Sequence, residues 1–222
     1  MFTTPTLQFL GQLKKNNNKL WFENHRQAYQ ASKDEFEIFV QEIITAIGAF
    51  DSDIKELSPK NCVFRINRDV RFSKDKSPYK TNMGAYMSRG GKKSPFSGYY
   101  FHLQPGGESF CGGGLWMPQP DELKKLRQEI DYDFPEFKKI INGASFKKYY
   151  SGLNMDESQM LVNVPKGYDK ENQAASFLRL KSFVALRSLP DKLLTSRQML
   201  KETAETFKAL MPLIKFINRA IE

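Results

Sequence analysis

The spacing of apolar residues changes twice along this 222-residue chain, and that change limits the folds open to it. Phe36, Phe39, Val40, Ile43, Ile44 and Ile47 recur at three- and four-residue steps, one apolar stripe on a helix predicted from Leu20 to about Phe50. A shorter helix precedes it, opening on a Thr4-Pro5 cap and first-turn pair and closing at Asn16 to Asn18, whose side chains suit turns. Trp21, Phe22 and Tyr29 read as packing residues. From Cys62 the period drops to two. "CVFRINRDVRF" puts Phe64, Ile66, Val70 and Phe72 on one face and Arg65, Asn67, Asp69 and Arg71 on the other. Further strands are predicted over 81–88, 98–105 and 109–117, with "PGGE" (105–108) as a turn between the last two. Short links between successive strands favour an antiparallel meander over crossover units.

After Pro118 the helical period returns. "PDELKKLRQEI" (120–130) begins with acids at its positive dipole end, and "DFPEFKKIING" (133–143) has Pro135 in its first turn and Gly143 at its stop. Short strands are predicted within 160–170 and 181–189. The last helix is expected to open on a capping box, Thr195-x-x-Gln198, and to bend near Pro212. The reading is one α+β domain over 1–222: helical in 1–50, a β-meander in 62–117, and mainly helical with short strands in 118–222.

Composition narrows the functional classes. No apolar run reaches the ~20 residues that span a bilayer, so no membrane partner is expected. The N-terminus lacks a basic start followed by an apolar block, which argues against a secretory signal. Two cysteines, Cys62 and Cys111, both in apolar runs, suit a reducing interior, so a cytoplasmic protein is expected. Two histidines and no C-x-x-C pair argue against structural zinc. No cofactor is expected: G-x-G-x-x-G before a helix, a P-loop and a nucleophile elbow are all absent.

The net charge of +9 is concentrated. Residues 1–64 carry −1, residues 65–93 carry +7 and residues 94–222 carry +3. A local excess makes a field able to gather anions. Its centre is "FRINRDVRFSKDKSPYK" (64–80), with three arginines, three lysines and two aspartates. On a strand, Arg65 and Arg71 flank Asp69, and their forked donors match carboxylates and phosphates. Arg68 falls on the apolar face, where a guanidinium needs a partner or a cavity. Lys76 and Lys80 exceed what Asp75 can cancel, and Tyr79 places a ring beside them. Arg89, Lys92 and Lys93 follow in a glycine- and serine-rich link. The cations around Asp69 and Asp75 would repel a divalent ion, so no metal site is expected.

These residues also carry a resemblance. "FRINRDVRFSKDKSPYKTNMGA", "FL..L..NN" with "WF" near the start, "GYYFHLQPG" (98–106), "GGGLWMP" (112–118) and "PKGY" (165–168) are similar to a widespread family of bacterial and fungal proteins known only as a domain of unknown function. The resemblance covers nearly the whole chain. It implies a single α+β domain and supplies no catalytic residues.

The sequence therefore predicts binding of a phosphorylated small molecule or nucleotide, with or without turnover. Arg65, Arg68, Arg71, Lys76 and Lys80 are the expected anion ligands, Tyr79 a stacking or hydrogen-bonding partner, and Asp69 an orienter of the arginines. Asp69 and His102 are the candidates for proton transfer. His102 shares a strand face with Tyr100 and Gln104 and titrates near neutrality. Two other readings stay open: a nucleic-acid-binding module, and a structural protein whose motif is a buried ion-pair network. Gly112 to Gly114 admit close approach by another backbone or by a ligand.

Overall fold

The computed structural model describes residues 1–222. Helices α1 (Thr4–Lys15), α2 (Lys19–Asn24) and α3 (Arg26–Gly48) come first, then a short α4 (Pro59–Cys62). Strands β1 (Met83–Ser88), β2 (Gly98–Leu103) and β3 (Phe110–Leu115) form the meander. A helical connection, α5 (Pro120–Tyr132), α6 (Phe134–Asn142), α7 (Ala144–Tyr149) and α8 (Ala175–Leu178), leads to β4 (Phe183–Ser188). The chain ends with α9 (Asp191–Leu194) and the long α10 (Met199–Ile221). The four strands lie in the order β1-β2-β3-β4 with every neighbour antiparallel, so the α+β expectation holds.

Strand alternation decides which face is dry. Met83, Ala85 and Met87 of β1, Tyr99, Phe101 and Leu103 of β2, and Cys111 and Leu115 of β3 are buried. Helices α3 and α10 pack over this face, with α1 behind α3. Phe2, Phe39 and Phe101 meet there, with ring centroids 4.9 Å and 4.8 Å apart in the Phe2–Phe39 and Phe39–Phe101 pairs. All the buried apolar residues but Val184 form one cluster of 47, which makes the chain one domain.

The glycine run of β3 has a backbone cause. A Cβ added at Gly112, Gly113 or Gly114 would lie 2.0, 2.1 and 2.0 Å from the carbonyl oxygens of Ala185, Gly98 and Phe183. The neighbouring strands, not a ligand, exclude side chains here. The PGGE turn is as expected: Gly106 (φ 94°) and Gly107 (φ 77°) adopt positive φ, and their N–H groups donate to the Asp191 carboxylate at 2.8 and 3.1 Å.

Several local expectations are corrected. The helix read from Leu20 to Phe50 breaks at His25, whose Nδ1 lies 2.8 Å from the Trp21 carbonyl oxygen and competes for an acceptor of the helix ladder. Thr4 is already helical, and the preceding Thr3 binds Glu35 through its N–H and hydroxyl instead of capping α1. The Thr195–Gln198 capping box does not form, because Thr195 ends α9 and α10 starts only at Met199. From Met199 on, α10 stays helical through Pro212 to Ile221, as read. The strand expected in 160–170 is reduced to one bridge, Met160 to Leu180. The most consequential change is at 62–72, which is no continuous strand.

Candidate functional site

Cys62 closes α4, and the chain then makes an irregular hairpin held by isolated bridges, Val63 to Ala85 and Asn67 to Tyr79. Two backbone hydrogen bonds join its legs, Arg68 N–H to Pro78 O at 2.9 Å and Lys80 N–H to Ile66 O at 2.8 Å. Its tip is clamped from within. Arg68, whose side chain is 26% exposed, donates Nη1 to the Asp75 carboxylate and to Ser77 O (3.1 Å), and Nη2 to Ser73 Oγ (3.4 Å). Asp75 also accepts from the Ser77 N–H and hydroxyl; with Arg68 these bonds bring its carboxyl down to about 2. Arg71 forks onto Asp69 at 2.9 and 2.6 Å, and Lys76 donates to Val70 O at 3.0 Å. Tyr79 turns inward. It is 6% exposed, stacks on Phe22 at 3.9 Å, and exchanges two backbone hydrogen bonds with the Asn17 side chain, at 2.8 and 3.1 Å.

The sheet face opposite the helices carries a cleft of about 780 Å³. Tyr86, Tyr100, His102, Phe110, Val184 and Leu186 line its floor, and Phe64, Phe96 and Trp116 stand at its walls. Lys80, Lys92 and Lys93 also line it, with Glu122 from the first turn of α5. A second cleft of about 750 Å³ lies against the other side of Phe64. It holds Arg65, Lys33 and Lys60 and shares Lys92 and Lys93 with the first. Lys80 sits 5.2 Å over the Phe64 ring. Burial, and then the like charge of Arg65, hold its ammonium below the ordinary lysine value. Lys33 is paired with Glu37, but Arg65, Lys60, Lys80, Lys92 and Lys93 form no ion pair.

A hydrogen-bond chain leads from the cleft floor, at Tyr100 and His102, out to Lys14 of α1. Tyr100 Oη lies 3.1 Å from His102 Nδ1, His102 Nε2 lies 3.0 Å from Gln104 Oε1, and Gln104 Nε2 lies 2.5 Å from Glu108 Oε2. Lys14 closes the chain at 2.6 Å and, ahead of Gln104, keeps the Glu108 carboxyl below its usual value. The chain has a direction. An ionised carboxylate only accepts, so the Gln104 amide nitrogen faces Glu108 and its oxygen faces His102. His102 therefore carries its proton on Nε2, and the bare Nδ1 accepts from the Tyr100 hydroxyl. Burial pushes the imidazole below 6.5, outweighing the opposite pull of Gln104 and Glu108. The ring stacks on Phe110 at 4.5 Å. Burial pushes the Tyr100 phenol up to about 12. A Cβ on Gly84 would come within 2.7 Å of Tyr100 Oη, so the bare glycine makes room for that hydroxyl.

The family model described as Conserved hypothetical protein (DUF2461) matches residues 5–216. The chain belongs to that family. No curated protein and no solved structure matches it.

Within this DUF2461 chain the predicted site residues do not converge on one hollow. Lys80 and His102 share the sheet-face cleft, and Arg65 lines the neighbouring one. Arg68, Asp69, Arg71, Lys76 and Tyr79 line neither, because aspartates, a carbonyl and an aromatic stack already hold them. Lys92 and Lys93, which the sequence places in a glycine- and serine-rich link, return to the site because the Lys92 ammonium donates to Lys60 O at 2.8 Å and its N–H to Asn61 O at 3.0 Å. Tyr100 and Gln104 were legible only as sharing a strand face with His102. No three His, Cys, Asp or Glu side chains are grouped so as to hold a metal ion, and no helix is long and apolar enough to cross a membrane.

Proposed function

We propose that the sheet-face cleft binds a phosphate-bearing small molecule with a planar ring, a nucleotide being the model ligand. The observation that carries this is the gathering of Lys80, Lys92 and Lys93 in that cleft, with Arg65 in the neighbouring one close enough to lower the Lys80 ammonium, none of them in an ion pair. Like charges held together at partial burial are destabilised, and an anion placed among them relieves the repulsion. The rings of Phe64, Tyr100 and Trp116 supply faces for a planar group, which stacks without regard to hydrogen-bond pattern. The concave wall favours a compact ligand over a duplex, whose contacts would need a longer basic track. The two aspartate-clamped arginines support a structural role for the tip of the motif, so this reading is confined to its base. The free, buried Cys62 and Cys111 accord with a cytoplasmic setting.

The test is titration calorimetry with a nucleoside monophosphate, the bare nucleoside and inorganic phosphate, on the wild type and on a Lys80→Ala, Lys93→Ala pair. The monophosphate should bind tightest. The double variant should lose ~10- to 100-fold for each charge-assisted bond removed. Equal affinity in wild type and variant, or a nucleoside that binds as well as its phosphate, would overturn the assignment. A short DNA duplex in the same series tests the nucleic-acid alternative. Duplex binding whose log affinity falls by about 0.9 per phosphate contacted, with log salt, would support that alternative instead.

A further inference from the structure

The cleft floor holds a hydroxyl–imidazole pair that ligand binding alone does not need. Tyr100, His102 and Gln104 are aligned from a single strand, and the acceptor-only Glu108 carboxylate sets the direction of every proton between them. The other tyrosine hydroxyls near the sheet are engaged differently. Tyr86 faces the Phe96 and Gly114 carbonyls, Tyr99 donates to Asp51 in the core, and Tyr150 to Thr206 O. Only Tyr100 presents its hydroxyl to a basic nitrogen, and it does so in a cleft lined by Lys80. An oxygen nucleophile beside a base that a third group orients is the arrangement used for covalent catalysis.

Resting on the reading of the cleft as a phosphate-ligand site, we infer that Tyr100 is the nucleophile of a phosphoryl transfer, with His102 as its general base. In the first half, Tyr100 Oη attacks the phosphorus of a bound phosphate ester. The Oη–P bond forms as the bond from phosphorus to the leaving oxygen breaks. The phenolic proton passes to His102 Nδ1 and from there to the leaving alkoxide, which departs as the alcohol. In the second half, water attacks the phosphotyrosine, His102 Nδ1 takes the water proton, and the P–Oη bond breaks. Tyr100 regains its proton and inorganic phosphate leaves, so nothing is oxidised or reduced. Lys80 neutralises charge on the non-bridging oxygens. The pair stays neutral at rest, the phenol being a weak acid and the imidazole a weak base, so the proton moves only as the O–P bond forms. The substrate class is a phosphate ester whose alcohol carries an aromatic or heteroaromatic ring, matched to the rings of Phe64 and Trp116.

The experiment uses the full chain with a panel of p-nitrophenyl phosphate, bis-p-nitrophenyl phosphate and a nucleoside monophosphate. It follows released product, binding by calorimetry, and acid-quenched protein by mass spectrometry with peptide mapping. The wild type should turn over at least one ester and carry a phosphoryl group on Tyr100 at steady state. Tyr100→Phe should keep the floor ring and the affinity but lose the adduct and fall to background. His102→Gln should lower the rate ~10²–10⁴-fold. Binding without turnover or adduct across the panel overturns the nucleophile and leaves the binding site standing. Turnover surviving in Tyr100→Phe, or an adduct mapping to His102, overturns it too. A wild type that binds no member of the panel removes both the site and the chemistry.

Discussion

Gly114 lies on the cleft floor, and its replacement by alanine measures how tightly that floor is built. The new Cβ would lie 2.0 Å from Phe183 O and 3.0 Å from both Phe183 C and Val184 Cα. A carbon–oxygen approach below 3.0 Å is not sustained, so β3 and β4 must part by about 1 Å at this point. Overpacking of this kind costs roughly 1–3 kcal/mol. Gly114 also has φ +125°, where a side chain adds roughly 1–3 kcal/mol of backbone strain. Gly114→Ala should therefore cost about 2–6 kcal/mol, a large share of the ~5–15 kcal/mol that holds a domain folded. Two other glycines separate the contributions. Gly106 has φ +94° with nothing within 4 Å of an added Cβ, so Gly106→Ala should cost only the strain, about 1–2 kcal/mol. Gly11, inside α1 and equally unobstructed, should give a gain of about 0.5–1 kcal/mol as alanine. Urea unfolding with a shared slope ranks the three. If Gly114→Ala falls within 1 kcal/mol of Gly106→Ala, close strand approach is not why the run is glycine.

Two further outcomes follow from buried polar groups. Asp51, 1% exposed, accepts from the Tyr99 hydroxyl at 2.8 Å and from Lys215 Nζ at 2.6 Å, while Lys215 keeps Asp53 at 2.7 Å. Asp51→Ala strands the Tyr99 hydroxyl and should cost about 1–3 kcal/mol by thermal or urea unfolding. Adding Tyr99→Phe should cost less than the two changes separately, and strict additivity would refute the coupling. For His102, the folded state holds the imidazole below its unfolded value of 6.5, mainly through burial with Lys80 opposing protonation, so the unfolded chain binds more protons as pH falls. The wild type should therefore lose stability relative to His102→Gln as pH drops below about 6.5, by at most about 1.4 kcal/mol per pH unit. The difference should be level above pH ~7.5. A difference curve that is flat down to pH ~5 would refute it.

The fold was largely legible because its signals are local and repetitive. The stripe from Phe36 to Ile47, the short links between the strand segments 81–88, 98–105 and 109–117, and the glycines of the 105–108 turn each need only their neighbours in sequence to declare themselves. The segment 62–72 misled for the opposite reason. It alternates as a strand does, but Arg68, Asp75 and Ser77 reach one another across the turn and close a hairpin, and the chain has too few ladder partners to stay extended. Tyr79 misled likewise. Its place among cations suggests an exposed ring, whereas Phe22 and Asn17, more than fifty positions away, draw it inside. The Tyr100–His102–Gln104 face was visible as a period of two, yet nothing in sequence says which sheet face stays clear of helices.

The charge count shows how three-dimensional pairing re-sorts a basic segment. Of the cations in 65–93, Arg68 and Arg71 are taken up by Asp75 and Asp69 at the hairpin tip, and Arg89 pairs with Glu222 and lies 3.6 Å from the Phe96 ring. Arg65, Lys80, Lys92 and Lys93 gather at the hairpin's base without a carboxylate. The two groups are mechanically linked. The Arg68–Asp75 clamp fixes the tip, the Asn17–Tyr79 hydrogen bonds anchor one leg, and the Phe64 N–H bond to Gly84 O (2.9 Å) anchors the other to β1. Phe64 and Lys80 are thereby held against the cleft from opposite legs of one braced loop. The paired arginines and Lys80 thus do different work: the first fix a shape, and the second is set by that shape at the cleft where we propose that an anion binds. A segment so rich in positive charge needs its two aspartates for the same reason, since without the clamp its own repulsion would scatter the groups it positions.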